Sequence, residues 1–183
     1  MEDQCISMSS QFENHFELFG LKVRFALDQA ALDSAYREIQ ARVHPDRFAA
    51  AGETERRLSI QWATRVNEAY RVLRQPLERA AYMLQLAGID PKFETDTAMP
   101  QEFLLRQMEL REALEEASRR SAPATLDRLR VQIRNEMRGA ESELGKRLDV
   151  EGDYAAAVPA VRALMFLDKL DAEVSQAFEA LDA

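Results

Sequence analysis

The chain has 183 residues, 46% of them apolar, and carries 24 Lys and Arg against 32 Asp and Glu, a net charge of −8. That acidity argues against non-specific binding of nucleic acid, which needs a basic surface. One cysteine, Cys5, and two histidines leave no disulfide framework and no zinc site. No apolar run approaches the ~20 residues of a membrane span. The polar, acidic start lacks both a basic region and an apolar core, so no secretory signal is read there and a cytoplasmic protein is expected. Ala, Leu, Glu, Arg and Gln dominate and strand-like alternation is almost absent, which predicts an all-α fold.

Residues 1–13 read as a flexible extension, with Cys5 an incidental surface thiol. A short apolar element follows, Phe16, Leu18, Phe19 and Leu21 around a Gly20 stop. Asp28 is a good N-cap for the first long helix, whose stripe is Leu32, Tyr36, Ile39 and Val43, with Ala35 at its margin. Pro45 ends it, because the residue before a proline is pushed out of the helical region. After a loop with Gly52, a second helix at about 53–74 keeps the 3.6-residue rhythm through Leu58, Trp62, Val66, Ala69 and Leu73. Two such helices joined by a short loop should pack antiparallel. Pro76 opens a further short helix, which Gly88 closes.

Residues 89–99 break the periodicity and read as a linker. Three helices are predicted beyond it, near 101–119, 123–149 and 155–181. The first has a core stripe of Phe103, Leu110, Leu114 and Ala117; the second runs Leu126, Leu129, Ile133, Met137, Ala140, Leu144, Leu148. The third shows Ala160, Ala163, Leu164, Leu167, Leu170, Val174, Phe178 and Leu181; Pro159 is tolerable there only in a first turn, which would start the helix near Val158, or at a kink. The domains expected are thus 14–88 and 100–183.

Chemistry concentrates at His44-Pro45-Asp46, between the two long helices of the first half. An acid–base pair of His44 and Asp46 would need a nucleophile or a second histidine nearby, and none accompanies them. No catalytic, metal-binding or cofactor-binding residues are assigned, and a non-enzyme is expected. The alternative is a plain turn in which the histidine is a bystander.

The run Ala35-Tyr36-Arg37-Glu38-Ile39-Gln40-Ala41-Arg42-Val43-His44-Pro45-Asp46-Arg47-Phe48 resembles the second helix and loop of a J-domain, and Asn67-Glu68-Ala69-Tyr70-Arg71-Val72-Leu73 the end of its third helix. J-domains stimulate ATP hydrolysis by the seventy-kilodalton heat-shock chaperones. The resemblance implies that His44, Pro45 and Asp46, with Arg37, Arg42 and Arg47, form the chaperone contact. Val43 stands where a tyrosine is common, and Arg47 where lysine is usual. Pro45 would present its neighbours at low ordering cost, Asp46 would accept from a partner arginine, and the arginines would steer an acidic partner.

From about residue 14 to 181 the chain is similar to the HscB family of co-chaperones for iron–sulfur cluster assembly. Phe16-Glu17-Leu18-Phe19-Gly20-Leu21, Pro76-Leu77-Glu78-Arg79-Ala80-Ala81-Tyr82-Met83-Leu84, the run from Phe103 to Glu112, and Phe166-Leu167-Asp168-Lys169-Leu170 carry it. It implies a J-domain followed by a three-helix bundle that binds the scaffold protein IscU and delivers it to the chaperone HscA; separately, a monomer is expected. Residue by residue, the scaffold contact would be Leu104, Leu105, Met108, Glu109, Glu112, Glu116 and Phe166. Helical periodicity independently turns Leu104, Leu105 and Met108 away from the core stripe, beside the three glutamates, and places Phe166 about a quarter-turn off its own stripe. From the residues alone, those apolar side chains serve equally well to pack on a neighbouring helix. Only Cys5 is present, so the cysteine-rich zinc module of some eukaryotic members is not expected.

Overall fold

The computed structural model describes residues 12–48, 51–90 and 101–181, and no strand occurs among them. The elements are α1 (His15–Leu18), α2 (Gln29–Val43), a 3₁₀ turn (Pro45–Phe48), α3 (Glu53–Arg74), α4 (Pro76–Leu86), α5 (Gln101–Arg119), α6 (Pro123–Gly145), a π-helical segment (Lys146–Glu151) and α7 (Tyr154–Leu181). The chain divides into two compact units between Met83 and Leu84. None of the described helices is long and apolar enough to cross a membrane.

In the first unit, α2 begins where its cap allows. Asp28 Oδ1 accepts from the amides of Ala30 (2.9 Å) and Ala31 (3.2 Å), two of the donors that a helix start leaves over. At the start of α3 the Glu55 carboxylate accepts from the Gly52 amide at 3.3 Å. Pairings of Asp33 with Tyr70 and of Gln40 with Asn67 fix α2 and α3 as antiparallel. Phe16, Leu32, Val66, Ala69 and Leu73 are fully buried, with Trp62 and Phe25 nearly so. Each large apolar side chain removed from water contributes about 1.5–3 kcal/mol. Tyr36 and Ile39, expected on the core stripe, are only half-buried. Tyr36 instead stacks on Tyr70 with centroids 4.0 Å apart, and its hydroxyl donates to Asn67 Oδ1 at 2.9 Å.

Phe12 and Glu13, read from sequence as the end of the extension, are held in place. The Phe12 ring meets Trp62 edge-on, its carbonyl accepts from Arg65, and the Glu13 amide donates to Glu17. The rest of that extension and most of the expected linker lie outside the described residues. Arg79 is buried, a fate composition does not foretell for an arginine. Its Nη1 donates to the Leu73 carbonyl at 2.5 Å, closing the end of α3, and its guanidinium lies over Phe25.

The second unit is a three-helix bundle. Leu110, Leu114 and Ala117 of α5 pack with Leu126, Leu129 and Ile133 of α6 and with Leu167, Leu170 and Val174 of α7. Arg134 grips Asp171 through both carboxylate oxygens, and Arg130 lies 4.6 Å from the Phe178 ring centroid, which sets α6 antiparallel to α7. The expected α6 boundary is corrected: regular α-helix stops at Gly145, and the stripe continues to Leu148 through the π-helical segment. Gly152, at φ +67°, ends that segment in the left-handed region where a side chain would be strained.

Of the two places open to Pro159, a first turn near Val158 is not the one taken, and the helix begins within a residue of the expected 155. Helix α7 starts at Tyr154 and contains Pro159. Proline removes the donor to the Ala155 carbonyl and its ring crowds that carbonyl, while Asp153 Oδ1 accepts from the Ala156 amide at 2.9 Å and holds the turn upstream. Ala157 and Val161, both fully buried, carry the core face through the proline, displacing the predicted Ala160.

Candidate functional site

The histidine-proline-aspartate tip grows out of the end of α2. Val43 is buried and anchors that end. His44 follows with extended backbone (φ −59°, ψ 128°), the conformation a following proline imposes. The 3₁₀ turn then closes with the Arg47 amide donating to the His44 carbonyl at 3.0 Å. His44 Nδ1 accepts from the Asp46 amide at 3.3 Å, which leaves the proton of the neutral ring on Nε2. The Asp46 carboxylate lies 3.5 Å from the same nitrogen and is 90% exposed. A preformed, solvent-facing carboxylate beside an imidazole is ready to accept from a cationic donor on another protein.

Arg37 and Arg42 are exposed on α2, as an approach surface requires. Arg47, expected to join them, is used within the chain: its Nη1 donates to the Ala41 carbonyl at 2.8 Å. Behind the tip, Asp33, Tyr36, Asn67 and Tyr70 lace α2 to α3. The Tyr70 hydroxyl donates to Asp33 at 2.8 Å, and that hydrogen bond raises the phenol above its usual range. At the far end of the same unit, His15 stacks on Tyr82 with centroids 4.3 Å apart, and burial lowers its pKa.

The second candidate surface lies on α5. Leu104, Leu105 and Met108 are 42%, 52% and 58% exposed, so among the described residues no neighbouring helix covers them fully. They sit on the N-terminal half of the helix, with Glu109, Glu112 and Glu116 further along. The glutamates differ in what they meet. Glu109 accepts from Arg106 at 2.8 Å, and Glu116 is engaged by both Arg119 and Arg120. Glu112 is exposed. Arg106 also reaches Glu136 of α6, and that hydrogen bond leads the causes that raise its pKa.

Phe166 is half-buried against the core, edge-on to Phe103 at 5.9 Å, with the Arg111 guanidinium over its ring. Phe103, expected in the core stripe, is likewise half-buried. Arg111 belongs to the run from Phe103 to Glu112 that carries the family resemblance, but no contact is expected of it from the sequence; the signal for one is its place one turn beyond Met108 at the edge of the apolar face. The apolar side chains, Glu112 and Phe166 therefore fall in the bundle's first and third helices, and His44 and Asp46 in the other unit.

Comparison with known proteins places both halves. Residues 99–175 match the model of the HSCB C-terminal oligomerisation domain. Over 175 residues, 96% of this chain and 99% of the relative, the sequence is 50% identical to a co-chaperone protein HscB homolog of Burkholderia multivorans. Among solved structures, the chaperone HscB from Vibrio cholerae matches with a TM-score of 0.81 at 38% identity, covering 92% of this chain and 99% of that one. The human co-chaperone protein HscB matches at 0.85 with 27% identity, covering 91% and 82%. An exposed histidine and aspartate flanking Pro45 on one unit, a half-apolar helix face on the other, and 50% identity over 96% of the sequence mean that the chain belongs to the HscB co-chaperone family.

Proposed function

We propose that this chain is a non-enzymatic, monomeric co-chaperone of iron–sulfur cluster assembly in the cytoplasm. Its first unit stimulates the ATPase of an HscA-type chaperone, and its second holds an IscU-type scaffold. The observation that carries the reading is the tip, where Asp46 is 90% exposed on a turn whose backbone is already closed. A binding group fixed in advance loses little entropy on association. Arg37 and Arg42 supply charge for encounter, a rate effect that salt weakens. Stimulation further requires that the tip bind the hydrolysis-competent state of the chaperone more tightly than the resting one.

On the second unit, Leu104, Leu105, Met108 and Phe166 serve as apolar anchors, with Glu109, Glu112 and Glu116 as the polar rim. Holding the scaffold on the same chain as the tip raises its effective concentration at the chaperone. The test is HscA ATPase with scaffold present: wild type stimulates and His44→Gln does not. Full stimulation by His44→Gln would reject the reading. A second reading keeps the tip but gives α5 a different occupant, a general-chaperone client or a second copy of this chain. The oligomerisation named for the matching family domain favours the latter. Sedimentation of the protein alone, and scaffold pull-down by Leu104→Ala/Met108→Ala/Phe166→Ala, separate the two.

A further inference from the structure

We infer that Arg47 is a positioning residue: by capping the Ala41 carbonyl it holds the His44-Pro45-Asp46 turn in its presenting conformation, rather than meeting the chaperone itself. The inference deepens the reading of the tip as the chaperone contact and rests on it.

The motif itself forces the loss of one helix hydrogen bond. In an α-helix each carbonyl accepts from the amide four residues on. For Ala41 that residue is Pro45, which has no amide hydrogen. A motif with proline in this position therefore always strips the last turn of α2 of one donor. The carbonyl stands beside the segment that must stay ordered, and Arg47 Nη1 lies 2.8 Å from it. Two residues past the proline, the chain has turned back through the 3₁₀ turn, with the Arg47 amide on the His44 carbonyl at 3.0 Å.

Arg47 thus makes two bonds across the tip, one from its backbone to His44 and one from its side chain to Ala41. His44 and Asp46 lie inside the loop these bonds close. A guanidinium donating to a carbonyl makes a charge-assisted bond, stronger than a neutral one. An ammonium at the same place could donate similarly, so the role does not depend on the guanidinium fork.

The experiment uses the full chain as wild type, Arg47→Ala, Arg47→Lys, Arg42→Ala and His44→Gln. Solvent exchange of the Arg47 amide reports closure of the turn without any partner. HscA ATPase, and association rate against ionic strength, report function. In Arg47→Ala the exchange rate should rise about fivefold to tenfold, the ordinary worth of one such bond. Half-maximal stimulation should shift to similarly higher concentration with the maximum kept. The salt dependence should run parallel to wild type, whereas Arg42→Ala should flatten it. Arg47→Lys should stay within about twofold of wild type in exchange and in stimulation, as one retained donor implies.

Unchanged amide exchange in Arg47→Ala, or a salt dependence flattened as in Arg42→Ala, would overturn the positioning role. Stimulation surviving in His44→Gln would instead sink the chaperone reading and the role with it, leaving only a local cap visible by exchange.

Discussion

Truncating the exposed face of α5 gives the clearest quantitative expectation. Leu104, Leu105 and Met108 keep 42%, 52% and 58% of their surface in contact with water. Fully burying a side chain of this size is worth about 2 kcal/mol, so roughly half, ~1 kcal/mol each, remains to be gained when a partner covers them. Leu104→Ala/Leu105→Ala/Met108→Ala should therefore lose up to ~3 kcal/mol of scaffold binding, on the order of 150-fold in Kd. Because these side chains lie outside the buried cluster of Leu110, Leu126 and Leu167, the melting temperature should move little. Phe166→Ala should behave differently, since its ring also packs on Phe103 and beneath Arg111 and its removal weakens the bundle itself. Titration calorimetry of scaffold into each variant, with thermal unfolding alongside, measures both quantities. Scaffold affinity within about threefold of wild type for the triple variant would refute the assignment, being less than one anchor should cost.

Two further expectations concern stability. Burial lowers the His15 pKa from 6.5, outweighing the opposing field of Glu68, with Arg65 adding to the lowering. The unfolded chain thus holds more protons than the folded one just below pH 6.5. Stability should fall as pH drops through that value and level off below the folded pKa. Urea unfolding of wild type and His15→Phe at pH 7.5 and 5.5 checks this, and parallel losses in the two proteins would contradict it. Arg79→Ala removes the buried donor to the Leu73 carbonyl and the contact with Phe25, and should cost about 2–3 kcal/mol. Denaturant titration reads that loss directly, and a variant as stable as wild type would show that solvent replaces the cap.

Much of this fold was legible because helix periodicity is a local signal. Leu126, Leu129 and Ile133 predict a buried face by spacing alone, and all three are buried. Asp28 was legible as a cap for the same reason, its partners lying two and three residues away. The misread features depend on neighbours distant in sequence or on backbone detail. Pro159 looked like a boundary because propensity cannot see that Ala157 and Val161 are held in a core. The π-helical segment was hidden since Leu144 and Leu148 keep a spacing that an ordinary helix would also give.

In the candidate sites, the angle between faces turns Leu104, Leu105 and Met108 off the core stripe, but only the folded bundle decides that they are exposed rather than packed on a neighbouring helix. The tasks of their charged neighbours did not. Glu116 held by two arginines, Arg111 over Phe166 and Arg47 on Ala41 are choices among several rotamers, settled only when the surrounding backbone is in place.

The central proposal is that the tip and the α5 face must lie on one polypeptide, and complementation between full-length variants tests it most directly. His44→Gln retains only the scaffold surface, and Leu104→Ala/Leu105→Ala/Met108→Ala retains only the tip. Mixed at a concentration where wild type saturates HscA ATPase with scaffold present, the pair should stay near the rate of the better single variant, because neither chain joins scaffold to chaperone. A mixture that matches wild type would show the two surfaces working independently and would contradict the proposal.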